Sequence, residues 1–167
     1  GTFSGQAWLD DDGNGGDPIL IKAEVVINDD QIMVDFMGSS DQVRTNLNSP
    51  FASSVSSAIA CIKAVLTDPD IPFNEGAERA ISVKIPYGSI LNPKPPAPVR
   101  ARLIPSYRVV NAVMSALAHA VPERVIAPGF DTTSVSCLSH RKETGYNIYL
   151  EIFGGGFGAG PNNDGCD

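Results

Sequence analysis

Between Gln31 and Pro50 the chain reads QIMVDFMGSSDQVRTNLNSP, and its pattern changes twice within those residues. Ile32, Val34 and Phe36 alternate with Gln31, Met33 and Asp35, the period of a strand whose two faces differ in burial. Gly38-Ser39-Ser40-Asp41 breaks that strand. A polar run follows to Asn48, and Ser49-Pro50 then opens a helical pattern. A strand end, a polar loop and a helix start in close succession restrict the fold to one in which a sheet and a helix face each other. Rigid elements holding a hydrogen-bonding loop are also a common place for binding groups. The same Asp, Asn, Ser and Gly residues serve a plain turn equally well, by satisfying its backbone. The residues alone leave both readings open.

The rest of the chain extends this frame. Thr2 to Leu9, with Phe3 and Trp8, and Ile19 to Val26 read as strands, so the first 37 residues predict an antiparallel meander. Phe51, Val55, Ala58, Ile59, Ile62, Val65 and Leu66 recur at helical spacing, with Ser49 as the expected N-cap and Pro50 at the first helical position. Asp68-Pro69 ends that helix. A short strand is expected at Ile81 to Ile85, then a proline-rich connector from Asn92 to Pro98. A second helix is expected from about Ser106 to Val121, buried through Val110, Val113, Met114, Leu117 and Val121 and stopped by Pro122. Thr132 to Leu138 and Tyr146 to Phe153 read as a terminal hairpin. Strand runs broken by single helices give an α+β fold, an antiparallel sheet packed by the helices 50–67 and 106–121, with residues 1–167 as a single domain. Ile59 and Leu117 are expected among the most buried residues.

Several function classes are unsupported by composition and motif. With 43% hydrophobic and 19% charged residues, the 167-residue chain is of the globular class. A net charge of -7 without a basic cluster argues against nucleic acid. No apolar run has the ~20 residues of a membrane span. Three widely spaced cysteines suit neither a disulfide framework nor a zinc site, so a reduced, cytoplasmic setting is the expectation. Cys61 reads as a small core residue. His119 lies opposite its helix's apolar stripe and reads as surface.

Asp10, Asp12, Asn14 and Gly15 match the first half of a calcium loop, but the second half fails because Ile21 stands where a bidentate Glu is needed. The glycine run 154–160 invites a phosphate-loop reading, yet no Lys-Ser or Lys-Thr follows and no helix opens after it. Ser39 and Ser40 have no nucleophile elbow around them. Arg108, at the polar edge of the second helix, could clamp a carboxylate or phosphate.

Taken together, the motifs resemble the hydantoinase B/oxoprolinase family. The resemblance is carried by Leu9-Asp10-Asp11-Asp12-Gly13, Val34-Asp35-Phe36-Met37-Gly38-Ser39-Ser40 and Asn46-Leu47-Asn48. It continues in Ile85-Pro86, Leu91-Asn92-Pro93, Arg108-Val109-Val110, Pro122-Glu123-Arg124 and Gly154-Gly155-Gly156. Two positions depart from it: Thr45 stands where a glycine is expected, and Asn111 where an acidic residue is common.

The resemblance implies an excised portion of a longer B-type subunit of an ATP-dependent cyclic-amide hydrolase, acting after an A-type partner has activated the amide. ATP and a metal are implied for the whole complex, and neither for these residues. The alternatives are a non-catalytic domain holding the subunits together, or the same piece of an acetone-type carboxylase. Under the first reading Asp35 is the expected catalytic acid or base, and Ser39, Gln42 and Asn48 the expected substrate-binding residues of a loop facing the cyclic amide or the partner.

Overall fold

In the computed structural model, which describes residues 1–132 and 134–166, the alternation from Thr2 to Asp35 becomes three antiparallel strands. They are β1 (Thr2–Leu9), β2 (Ile19–Asn28) and β3 (Gln31–Asp35), paired from Thr2↔Val26 to Leu9↔Ile19 and from Glu24↔Asp35 to Asn28↔Gln31. The alternation sends Ala7, Leu9, Ile19, Ile21, Ala23, Val25 and Val34 to one face, and all are buried. After β3 the chain crosses through α1 (Phe51–Leu66) and a four-residue helix, α2 (Glu75–Glu78), to β4 (Ile81–Lys84). Such a crossover returns the chain running the same way, so β4 joins β3 in parallel. The expected antiparallel sheet therefore carries one parallel edge strand, in the order β1-β2-β3-β4.

The helices shift from their sequence-based outlines. Pro50 itself is the residue before the first turn of α1, and no side chain caps it. Ser49, the expected cap, is instead buried with its hydroxyl 3.3 Å from that of Ser106. Phe51, counted in the apolar stripe, is 48% exposed. Ile59 lies at the margin of the core, while Ala58, Ile62 and Val65 are its centre.

The second main helix, α3, spans Leu103–Leu117. It starts three residues early because Pro105 falls in the first turn, where its missing N–H has no role. Its buried stripe runs through Val109, Ala112, Val113, Ala116 and Leu117, leaving Val110 and Met114 half-buried. Small residues cause this rotation: a Cβ on Gly5 of β1 would run into the Ala112 carbonyl and the Ala116 amide. Helix backbone therefore lies directly on strand backbone, and Leu117 is fully buried as expected.

A 3₁₀ turn (Pro122–Arg124) leads into an extended segment and a hairpin of β5 (Ser134–Lys142) and β6 (Gly145–Phe153). Among the described residues these two strands pair only with each other. Thr133, within the strand expected from Thr132, lies outside the described residues. Among those residues no helix is long and apolar enough to cross a membrane.

Candidate functional site

The loop after β3 is built from the edge that β3 leaves behind. β3 ends opposite Glu24, so the first residues of β2 have no partner on that side. Ser39 and Ser40 take their place. Leu20 N–H donates to Ser40 Oγ at 2.9 Å, Lys22 N–H to Ser39 Oγ at 3.1 Å, and Ser40 N–H to the Leu20 carbonyl at 2.9 Å. Gly38, at φ +88°, makes the bend that brings the serines there, a conformation L side chains rarely adopt.

Gln42 accepts from the Lys94 amide at 2.7 Å. Asn48 is fully buried: it accepts from Val43 N–H at 2.9 Å and donates to the carbonyls of Val43, Thr45 and Pro98 within 3.0 Å. Asp35 sits on the outer face of the sheet, in register with Glu24 and Lys84, and accepts from Met37 N–H at 2.8 Å. The structure thus brings Ser39, Gln42 and Asn48 together as the hydrogen-bonded frame of one loop, with backbone as their partners. Asp35 stands apart from them, and none of the four lines the three cavities below.

Those cavities meet at α3. Arg108 and Asn111, three residues apart on its polar side, both reach Asp131: Arg108 Nη1 donates to Asp131 Oδ2 at 3.0 Å and Asn111 Nδ2 to the same oxygen at 2.7 Å. One cavity, about 600 Å³, is lined by Arg108 and Asn111 with Trp8, Met114 and Ile126. A second, about 470 Å³, is lined by Asn111 and Asp131 with Tyr107, Phe130, Phe157 and the glycines 154–156. The third, about 450 Å³, is lined by Arg108 and Asp131 with Trp8, Asp10, Asp11 and Leu47. Cavities of several hundred Å³ with apolar walls and a few convergent polar groups are the usual form of small-molecule sites.

Among the described residues the buried Nε of Arg108 has no hydrogen-bond partner. The sequence offers Arg108 as a clamp for a carboxylate or phosphate, and the carboxylate it holds is the chain's own Asp131. Asp131 was missed, since it lies in an aperiodic segment and only the tertiary fold brings it to α3.

The other motifs have local roles. Asp11 and Asp12 accept from the amides of Gly13 and Asn14, holding the turn between β1 and β2. The glycine run lies backbone to backbone on 127–130, with Ala127 N–H on the Ala159 carbonyl and Phe130 N–H on that of Gly156, both at 2.9 Å. A Cβ on Gly158 would collide with the Ala127 carbonyl, which explains bare backbone there without any phosphate. Among the described residues no group of three or more His, Cys, Asp and Glu fits a metal ion. Burial pushes the Cys61 thiol up to about 12 and leaves it unreactive at neutral pH.

The family model for hydantoinase B/oxoprolinase matches residues 1–167, the whole chain. The chain belongs to this family. Within it, the chain is 32% identical over 154 residues to caprolactamase subunit beta of Pseudomonas jessenii, covering 91% of this chain and 26% of that one. It is also 32% identical over 154 residues to a 5-oxoprolinase of Pestalotiopsis fici, covering 90% of this chain and 12% of the relative. The crystal structure of the ATP-dependent caprolactamase from Pseudomonas jessenii superposes with a TM-score of 0.74 at 32% identity, covering 87% of this chain and 26% of that one. The chain spans less than a third of the length of these family members.

Proposed function

We propose that this chain is one portion of a longer B-type subunit of an ATP-dependent cyclic-amide hydrolase, working in the cytoplasm with an A-type partner that binds the ATP. The observation that carries the reading is the whole-chain family match combined with 32% identity to a caprolactamase subunit. In this reading ATP and a catalytic metal belong to the whole complex.

Within that complex the chain supplies positioning and binding surface. Ser39, Gln42 and Asn48 hold the loop 38–48 in shape through the bonds described above. Asp35 is the member of that set whose carboxylate stands on the open sheet face, available to the cyclic amide or to the partner as an acid, base or anchor. The cavities around Arg108, Asn111 and Asp131 are the second surface on which a small polar ring or its opened product would rest.

The test uses the B-type subunit that contains this chain, reconstituted with its ATP-binding partner. It should open the ring of caprolactam, 5-oxoproline or a hydantoin only when ATP is present. Asp35→Asn and Gln42→Ala should each lower turnover about tenfold, about 1.4 kcal/mol in the barrier, with the complex intact. No ATP-dependent ring opening of any of the three contradicts the proposed activity. Unchanged turnover in both variants contradicts only the part assigned to the loop.

A further inference from the structure

The terminal hairpin is amphipathic, and its apolar side faces water. Residues opposite one another across a strand pair share a face, so the pairs Val135↔Ile152, Cys137↔Leu150, Ser139↔Ile148 and Arg141↔Tyr146 make one side of it. Five large apolar groups on that side are open: Val135 is 51% exposed, Tyr146 66%, Ile148 72%, Leu150 59% and Ile152 64%. The reverse side is more mixed, with Ser134, Ser136, His140, Lys142, Asn147 and Glu151 beside Leu138, Tyr149 and Phe153. A two-stranded hairpin is marginal in water by itself and needs its apolar face packed against something. Among the described residues, the body approaches this face at Ile152, which walls the second cavity, and leaves Val135, Tyr146, Ile148 and Leu150 exposed.

Size decides what the cover can be. Two nine-residue strands make a face about 30 Å by 10 Å, or about 300 Å². Counting both sides, docking there buries about 600 Å², well short of the ~1,200 Å² at which free chains form stable specific complexes. A segment of the same polypeptide escapes most of the association cost, because its effective concentration is high. The caprolactamase subunit leaves most of its length outside the match, which covers 26% of it.

We infer that the apolar face of β5–β6 is the seat of another segment of the same subunit polypeptide, outside these 167 residues. That segment is apolar along one side and carries a carboxylate at the end that meets Arg141. This inference rests on the proposal that the chain is one portion of a longer subunit.

Cys137 lies on the face and is exposed, so it reports the cover directly. In the full-length subunit without its partner, alkylation of the peptide containing Cys137, followed by mass spectrometry, should run about 100-fold slower than in the 167-residue chain, as expected for a thiol reached only by local opening. The slow rate should not depend on protein concentration, and Ile148→Lys, which wedges the face open, should restore fast labelling with the body still folded. Fast labelling of the unsubstituted full-length subunit overturns the inference. So does protection that appears only on adding the A-type partner, or only at high concentration, since those outcomes name a partner subunit or a second copy as the occupant. Ring-opening activity of the same preparation separates the two proposals. An active complex with a reactive Cys137 sinks the inference alone, and an inactive one with a protected Cys137 sinks the activity alone.

Discussion

In β2, Ile19, Ile21, Ala23 and Val25 alternate with Leu20, Lys22, Glu24 and Val26, and the first set is buried in the core. In β6, Tyr146, Ile148, Leu150 and Ile152 alternate with Asn147, Tyr149 and Glu151, and the first set stands in solvent. The local code is the same in both. What differs is the third layer: α3 lies across both β1 and β2, close enough at Gly5 of β1 for backbone to touch backbone, whereas among the described residues β6 pairs with β5 alone. Alternation therefore specifies that a face will be covered without specifying by what. The body of this domain supplies its own cover, and the hairpin depends on another segment.

Substitutions at matched positions can break this contrast. The largest losses belong under α3: Leu117→Ala should cost about 2–5 kcal/mol through lost burial and a cavity, and Gly5→Ala about 3 kcal/mol by forcing the helix off the strand. Urea melts of both variants check this, and parent-like midpoints would mean α3 does not lie where the structure puts it. Asn48→Ala should come next, at about 2–3 kcal/mol, because one deletion strips partners from a buried amide and several carbonyls. A small loss there would show water reaching the loop. Smallest is Ile148→Ala on the open face of the hairpin, within about 0.5 kcal/mol of the parent in the 167-residue chain. A loss of more than 2 kcal/mol would place that face in contact with the body.

Much of the body was legible because its signals are local. The period-two runs gave β1 to β3, and the helical spacing gave α1 and α3. Asp68-Pro69 marked where α1 stops, whereas α3 ends at Leu117, four residues before the expected Val121, and Pro122 opens the 3₁₀ turn instead. Gly38 and the two serines marked a loop, but they could not reveal that the serines complete the edge of β2, since the gap they fill exists only once β3 ends at Asp35. The rotation of α3 was hidden for a similar reason: hydrophobicity favours Val110 and Met114, whereas contact with Gly5 requires Ala112 and Ala116. Asp131 carried no pattern at all. Its partners Arg108 and Asn111 were noticed singly, and only the close packing of 127–130 on the glycine run sets a carboxylate above them.

Native-state hydrogen exchange on the 167-residue chain measures the central contrast most directly. The account predicts that the amides of Ile21, Ala23 and Val25 exchange only through global unfolding, while those of β5 and β6 exchange about 1,000-fold faster or more through local opening of the hairpin. Equal protection of β2 and β6 would contradict it, and would mean that the hairpin is already covered by the body it grows from.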